Sequence, residues 1–125
     1  MWKLSALVFL GGGLGSVARF ALAELLQPYR YSFPVATLLA NIGSAVILGI
    51  VVFALQKQSI SDTTYKLVAV GFCGGFSTFS TFTNESMRYL QNNAWTLLFS
   101  NILLNLFLCG VGLLFGLQLA KWCME

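Results

Sequence analysis

Apolar residues run along this chain in four long stretches, at 4–26, 33–55, 65–90 and 95–119. A helix rises 1.5 Å per residue and needs ~20 residues to cross about 30 Å of hydrocarbon, so each stretch is long enough to span a membrane. Short polar connections separate them. The first is Gln27-Pro28-Tyr29-Arg30-Tyr31-Ser32, where Pro28 stops one helix and Pro34 suits the first turn of the next. The second runs from Gln56 to Thr64, and the third lies near Gln91-Asn92-Asn93. None is long enough to separate domains. The pattern predicts an all-α membrane protein, with residues 1–125 forming a single unit of four transmembrane helices.

The third stretch departs from the others. From residue 70 it reads Val70-Gly71-Phe72-Cys73-Gly74-Gly75-Phe76-Ser77-Thr78-Phe79-Ser80-Thr81-Phe82-Thr83-Asn84-Glu85. Adjacent glycines followed by serine and threonine are poor helix material, which predicts a broken third helix, interrupted between Gly74 and Thr78. Lipid cannot satisfy the carbonyls and amides of an unwound turn, so the break must face protein, water or an ion. Free carbonyls suit a small hard cation such as sodium, and the start of the following half-helix favours an anion. If that half-helix begins at Phe79, then Phe79 and Phe82 share a face. A phenyl edge carries partial positive charge, so these rings, beside Ser80, Thr81 and Thr83, could meet an anion. Rings that only pack or face lipid are the plainer alternative.

Composition agrees with lipid as the solvent. Charged residues make up 9% of the 125 and hydrophobic ones 58%, with a mean hydropathy of +0.81. A soluble domain carries about 25% charged residues. The net charge of +3 comes from scattered residues that form no nucleic-acid patch. Lys3 and Ala21-Leu22-Ala23 imitate a secretory signal, but Arg19 and a glycine cluster interrupt the first run, which is read as a span. Trp2, Tyr29, Tyr31, Tyr65, Tyr89, Trp95 and Trp122 fall near the expected helix ends, the depth that amphipathic rings prefer. With four crossings, Lys3, Lys57, Lys66 and Lys121 lie on one side and Arg30 and Arg88 on the other. That weak bias favours cytoplasmic termini and leaves room for insertion in both orientations. Histidine is absent, which removes the commonest general base and metal ligand. Cys73, Cys109 and Cys123 have no metal-ligand spacing and read as small apolar residues.

Small residues recur at helix-packing intervals. Gly11 and Gly15, Gly71 and Gly75, and Gly112 and Gly116 are GxxxG pairs, and Ala36, Ala40 and Ser44 make a similar row. Intramembrane polar residues need a partner or a function. Thr37 and Asn41 stand four apart in the second stretch, as do Asn101 and Asn105 in the fourth. Glue between helices is the plain reading of each. Glu85 is either a mouth residue or a carboxylate paired with Arg88, and Arg19 and Glu24 either snorkel or hold helix ends in register. The residues alone describe a pore or transporter with a neutral path lined by hydroxyls and phenylalanine. Four helices are few to enclose a path, so an oligomer is expected.

Three motifs carry a resemblance that covers essentially the whole chain. GGGLGSVARF at 11–20 ends in arginine and an aromatic, TLLANIGS at 37–44 contains Asn-x-x-Gly, and GFCGGFSTFSTF at 71–82 is the most specific. In these the chain resembles the Fluc fluoride-channel family, also called the CrcB family. The resemblance implies an antiparallel, dual-topology homodimer in the inner (cytoplasmic) membrane of a prokaryote, with two fluoride pores and a structural sodium ion on the two-fold axis. It implies that the backbone carbonyls of Gly74 and Ser77 bind the sodium. Phe79 and Phe82 would be the pore phenylalanines and Asn41 the pore asparagine, near Thr37. Ser80, Thr81 and Glu85 would belong to a polar track, and Arg19 would match the first-span arginine. Asn101 and Asn105 stand where the family pattern has tyrosine and serine. Both still form hydrogen bonds, and Asn105 is counted with the pore. The activity implied is passive fluoride export rather than enzymatic turnover.

Two other readings fit a short four-span chain. A small multidrug-resistance-type transporter needs an acid deep in its first span, and here the candidate, Glu24, lies near the end. A non-transporting assembly protein would use its polar residues only as glue and would need no helix break.

Overall fold

A computed structural model describes residues 1–29 and 31–125, so Arg30, counted above in the charge bias, lies outside the described residues. Among these, every regular element is helical. Three helices are long and apolar enough to cross a membrane. They are α1 (Trp2–Leu26), which runs into a 3-10 turn at Gln27–Tyr29, then α2 (Val35–Gln56) and α6 (Trp95–Met124). Between α2 and α6 the chain forms α3 (Asp62–Tyr65), a π-helix (Lys66–Cys73), α4 (Gly74–Phe76) and α5 (Phe79–Gln91).

The third apolar stretch is therefore divided, and the division falls at Ser77 and Thr78. Ser77 has φ −73° and ψ 159°, and Thr78 has φ −150° and ψ 114°. The glycines expected to cause the break are not its unwound residues, since Gly74 is helical at φ −63° and ψ −35°. Side chains place the break instead. The Thr78 hydroxyl caps α5 by accepting the Thr81 N–H at 3.1 Å, and Asn41 Oδ1 accepts the Thr78 N–H at 2.8 Å. A side-chain acceptor at a helix start competes directly with the continuing helical bond.

The glycines pack helices. A Cβ at Gly11 or Gly15 would fall on the backbone of Leu67 and Phe72, and one at Gly75 on the carbonyl of Gly12. The order of these contacts shows that α1 runs parallel to the 62–76 segment. On the other side, Gly49 meets the backbone of Leu113, and Gly116 meets that of Val46, so α2 runs parallel to α6. Without a hydrophobic driving force between helices, such close backbone approach maximises dispersion contact. The ends close the arrangement. Lys57 pairs with Glu125 at 2.7 Å at one end, and the Tyr89 hydroxyl donates to the Ser32 carbonyl at 3.0 Å at the other.

Much of the interior is polar. Besides glycines, the buried residues among those described are six apolar ones, mostly small, and six polar ones: Thr37, Ser44, Thr78, Ser86, Asn101 and Asn105. Phe9, Leu106, Phe107 and Phe115 meanwhile lie exposed on α1 and α6. Water would penalise that distribution, whereas lipid favours it. The chain is a membrane protein.

Candidate functional site

The polar residues converge on the break. Asn41, on α2, faces Thr78 on one side and α6 on the other. Its Oδ1 takes the Thr78 N–H, and its Nδ2 donates to Asn105 Oδ1 at 2.9 Å. Its remaining donor contact, to the Thr78 carbonyl, is long at 3.5 Å. Beside it, α5 begins with Phe79 and Phe82, whose ring centroids lie 5.6 Å apart with a 43° tilt. Asn41, Phe79, Phe82, Asn105 and Cys109 line an open groove of about 590 Å³ between α2, α5 and α6. Among the described residues, the lining holds no charged side chain.

Another part of the expected track lies on a different side of α5. Thr37, one turn before Asn41, donates to Glu85 Oε1 at 2.6 Å. Thr81 joins them in a second cleft, which also touches Leu26 and Phe33. Glu85 Oε2 is buried without a hydrogen-bond partner among the described residues. Of the two readings of Glu85, the ion pair with Arg88 does not form among the described residues. Ser80 is exposed, and its hydroxyl lies 3.2 Å from that of Thr78. The Thr78 hydroxyl also donates to Thr81 Oγ1 at 3.0 Å, which leaves the Thr81 hydrogen for another acceptor. Thr83 returns its hydroxyl to the Phe79 carbonyl at 2.8 Å.

The carbonyls around the break form a third group. In a continuous helix the N–H of Thr78 would bond the Gly74 carbonyl, and that of Thr81 the Ser77 carbonyl. Both N–H groups go instead to side chains, Asn41 Oδ1 and Thr78 Oγ1. Gly74 is exposed, and among the described residues no atom beyond its own helix and chain neighbours lies within 4 Å of where a Cβ would stand. Arg19 lies apart from the groove and donates its Nε to the Gly75 carbonyl at 3.1 Å. It forms no ion pair with Glu24 among the described residues.

The model of a family described as "CrcB-like protein, Camphor Resistance (CrcB)" matches residues 6–117. The chain belongs to the CrcB-like family. Among relatives of this CrcB-like chain are proteins named "Fluoride-specific ion channel FluC". The one from Gloeothece citriformis is 39% identical over 119 residues, covering 92% of this chain and 94% of the relative. That from Shewanella sediminis is 40% identical over 113 residues, covering 90% and 91%. That from Salmonella arizonae is 41% identical over 109 residues, covering 85% and 84%.

Sequence reasoning missed three contributors to the site of this CrcB-like chain. Thr78 was read as part of the loosened turn, although a threonine just before a helix-forming run is a capping signal. Ser44, seen only as a small packing residue, donates to the Cys73 carbonyl at 3.0 Å. Ser86 accepts from Asn101 Nδ2 at 3.0 Å, a pairing that no local pattern announces.

Proposed function

We propose that this chain is a subunit of a fluoride-selective passive channel that exports fluoride across the bacterial cytoplasmic membrane. The observation carrying the proposal is the meeting of Asn41, Phe79 and Phe82 in one neutral groove at a helix break, in a chain of this family. Fluoride is small and tightly hydrated. A path that conducts it must replace that water with donors held by the protein. Asn41 can offer its loosely held Nδ2 hydrogen, and the two phenyl edges add partial positive charge. Thr81 and Thr37, backed by Glu85, continue the track in the second cleft. Ser80 stands at the start of α5, where the helix dipole favours an anion. Asn105 adjoins Asn41. A neutral lining lets the anion leave again, where a fixed cation would hold it.

In this reading the 62–76 segment and α5 together form a fourth crossing, and two copies assemble antiparallel as a dual-topology homodimer. The open face at Gly74 gives room for a second copy. The same face fits a structural sodium ion. Gly74 and Ser77 have carbonyls that lose their helical donors to side chains, which is the donor set a hard cation takes. Bound there, sodium would supply positive potential near the groove. Arg19 holds the neighbouring Gly75 carbonyl in place.

The test is efflux from liposomes holding the purified protein, under a potassium gradient with valinomycin. Rapid fluoride efflux without chloride efflux is expected; no efflux from folded protein sinks the channel reading. Phe82→Ile, which keeps apolar bulk and removes the aromatic edge, should slow fluoride roughly tenfold or more, the scale of one lost interaction with a charged species. Wild-type flux in that variant would remove the ring from the mechanism.

A further inference from the structure

We propose that Asn105 is a positioning residue, which sets the direction in which the Asn41 amide points and makes no contact with the ion itself. The inference rests on the channel reading above.

The geometry gives a chain of bonds running one way. It starts at a backbone donor, the Thr78 N–H, which only an acceptor can meet, so Asn41 must turn its Oδ1 there. Asn41 Nδ2 then donates to Asn105 Oδ1. Asn105 Nδ2 donates to the backbone carbonyl of Asn101 at 2.9 Å and to Asn101 Oδ1 at 3.0 Å. Asn101 Nδ2 donates to Ser86 Oγ, and the Ser86 hydroxyl ends on the Phe82 carbonyl at 2.9 Å.

Each end of this chain is a backbone group, which cannot exchange donor for acceptor. An isolated asparagine can flip its amide, because nitrogen and oxygen have nearly the same shape. Here a flip of Asn105 would set its Oδ1 against the Asn101 carbonyl, oxygen to oxygen. A flip of Asn41 would set its amide hydrogens against the Thr78 N–H. Burial sharpens both penalties, since Asn101 is 0% exposed and Asn105 7%. Asn105 also turns its own donors away from the groove, toward Asn101. What it presents toward Asn41 is an oxygen, which repels an anion and attracts the Asn41 amide. Its contribution is to hold one Asn41 hydrogen and leave the other with only its long contact to the Thr78 carbonyl. The ladder ends on the carbonyl of Phe82, so the same bonds tie the proposed pore asparagine to the backbone under a pore phenylalanine.

The experiment is a double-mutant cycle in the full-length protein, reconstituted in liposomes and read as fluoride efflux and fluoride-over-chloride selectivity. Asn41→Ala and Asn105→Leu should each slow fluoride by about tenfold or more, and Asn105→Leu should also lower the selectivity. The double variant should match Asn41→Ala alone, because Asn105 acts only through Asn41. Losses that multiply would overturn the proposal by making Asn105 a contact of the ion, and wild-type flux in Asn105→Leu would overturn it equally. If Asn105→Leu fails to fold, Asn105→Ser carries the same cycle with less disturbance.

A second readout is independent of conduction. In isotope-labelled protein, the side-chain amide protons of Asn41 should shift and exchange faster with solvent in the Asn105 variant. An unchanged Asn41 signal overturns the lock even where nothing conducts. Absent fluoride flux from the wild type would defeat the channel reading alone.

Discussion

The two halves of the divided segment are held in opposite ways. Residues 62–76 lie on α1 backbone to backbone, with Gly71 against the Val8 carbonyl and Gly75 against that of Gly12. After the break, α5 is held by polar side chains: Ser86 to Asn101, Glu85 to Thr37, and Tyr89 to Ser32. Lipid tails are as apolar as leucine, so neither half gains from the hydrophobic effect between helices. Close dispersion contact and hydrogen bonding are the two attractions left; the first half rests chiefly on the former, with Ser44 and Arg19 adding bonds to the Cys73 and Gly75 carbonyls, and α5 on the latter. The glycine contact admits no added atom. The polar contact sets donors and acceptors in fixed directions. A site that must trade water for protein donors therefore sits on the half that carries them, braced by the glycine-packed half.

Adding atoms to the glycine contact should have the largest effect. Gly15→Val would drive its side chain into the carbonyl of Phe72 and the amide of Phe76. Overpacking typically costs about 1–3 kcal/mol, and a backbone obstacle cannot swing aside, so loss of folded protein is expected on size exclusion. Gly74→Ala is the matched control one residue before Gly75. Among the described residues nothing outside its own helix and chain neighbours stands within 4 Å of an added Cβ, so the protomer should keep or gain stability, by at most about 1 kcal/mol of helix propensity. If dimer association alone suffers, a second copy covers that face. Equal damage from both substitutions would dissolve the contrast between the packed and the open side of this segment.

The polar half should respond more gently. Thr78→Val keeps the shape and removes the cap that accepts the Thr81 N–H. Losing a cap costs about 0.5–2 kcal/mol, and Thr78→Ser should restore most of it. Thermal unfolding in detergent measures both. A Thr78→Val loss as severe as that of Gly15→Val would mean that the break, and not the glycine contact, carries the stability of the segment.

The apolar stretches were legible because bilayer thickness fixes their length. The expected limits 4–26, 33–55 and 95–119 lie close to Trp2–Leu26, Val35–Gln56 and Trp95–Met124, with α6 running five residues further. The GxxxG pairs were legible because only small residues permit that approach. Phe79 and Phe82 sharing a face followed from their spacing alone. The break falls at the far end of the expected Gly74–Thr78 interval, because its cause is tertiary. The acceptor that takes the Thr78 N–H belongs to Asn41, 37 residues back in the chain. The amide ladder was out of reach for a similar reason. Which asparagine faces which depends on the register of α2 against α6, set where Gly49 and Gly116 let the backbones touch. The π-helix at Lys66–Cys73 left no mark in the hydrophobic pattern, which was already apolar on every side.

The smallest effect lies outside both halves, at the turn that leads into the first. After α2 the chain reverses through Gln58, whose φ is 56°. Its N–H returns to the Leu55 carbonyl at 2.9 Å, and that of Ser59 to Ala54, also at 2.9 Å. This double return is a Schellman closure, which needs a left-handed residue at its centre. A glutamine there carries a Cβ close to the following carbonyl, at a cost of about 1–2 kcal/mol relative to glycine. Asn93 holds the equivalent place after α5, with φ 54°, and asparagine tolerates that conformation better. Gln58→Gly should therefore raise unfolding stability by about 1 kcal/mol, somewhat less than the strain relieved, because glycine also loosens the unfolded chain. Asn93→Gly should gain less. Fluoride flux should be unchanged in both, since neither residue approaches the groove or the carbonyls of the break. If Gln58→Gly altered flux, the turn would have to transmit strain along the π-helix to Gly74, and the bracing assigned to the glycine-packed half would be wrong.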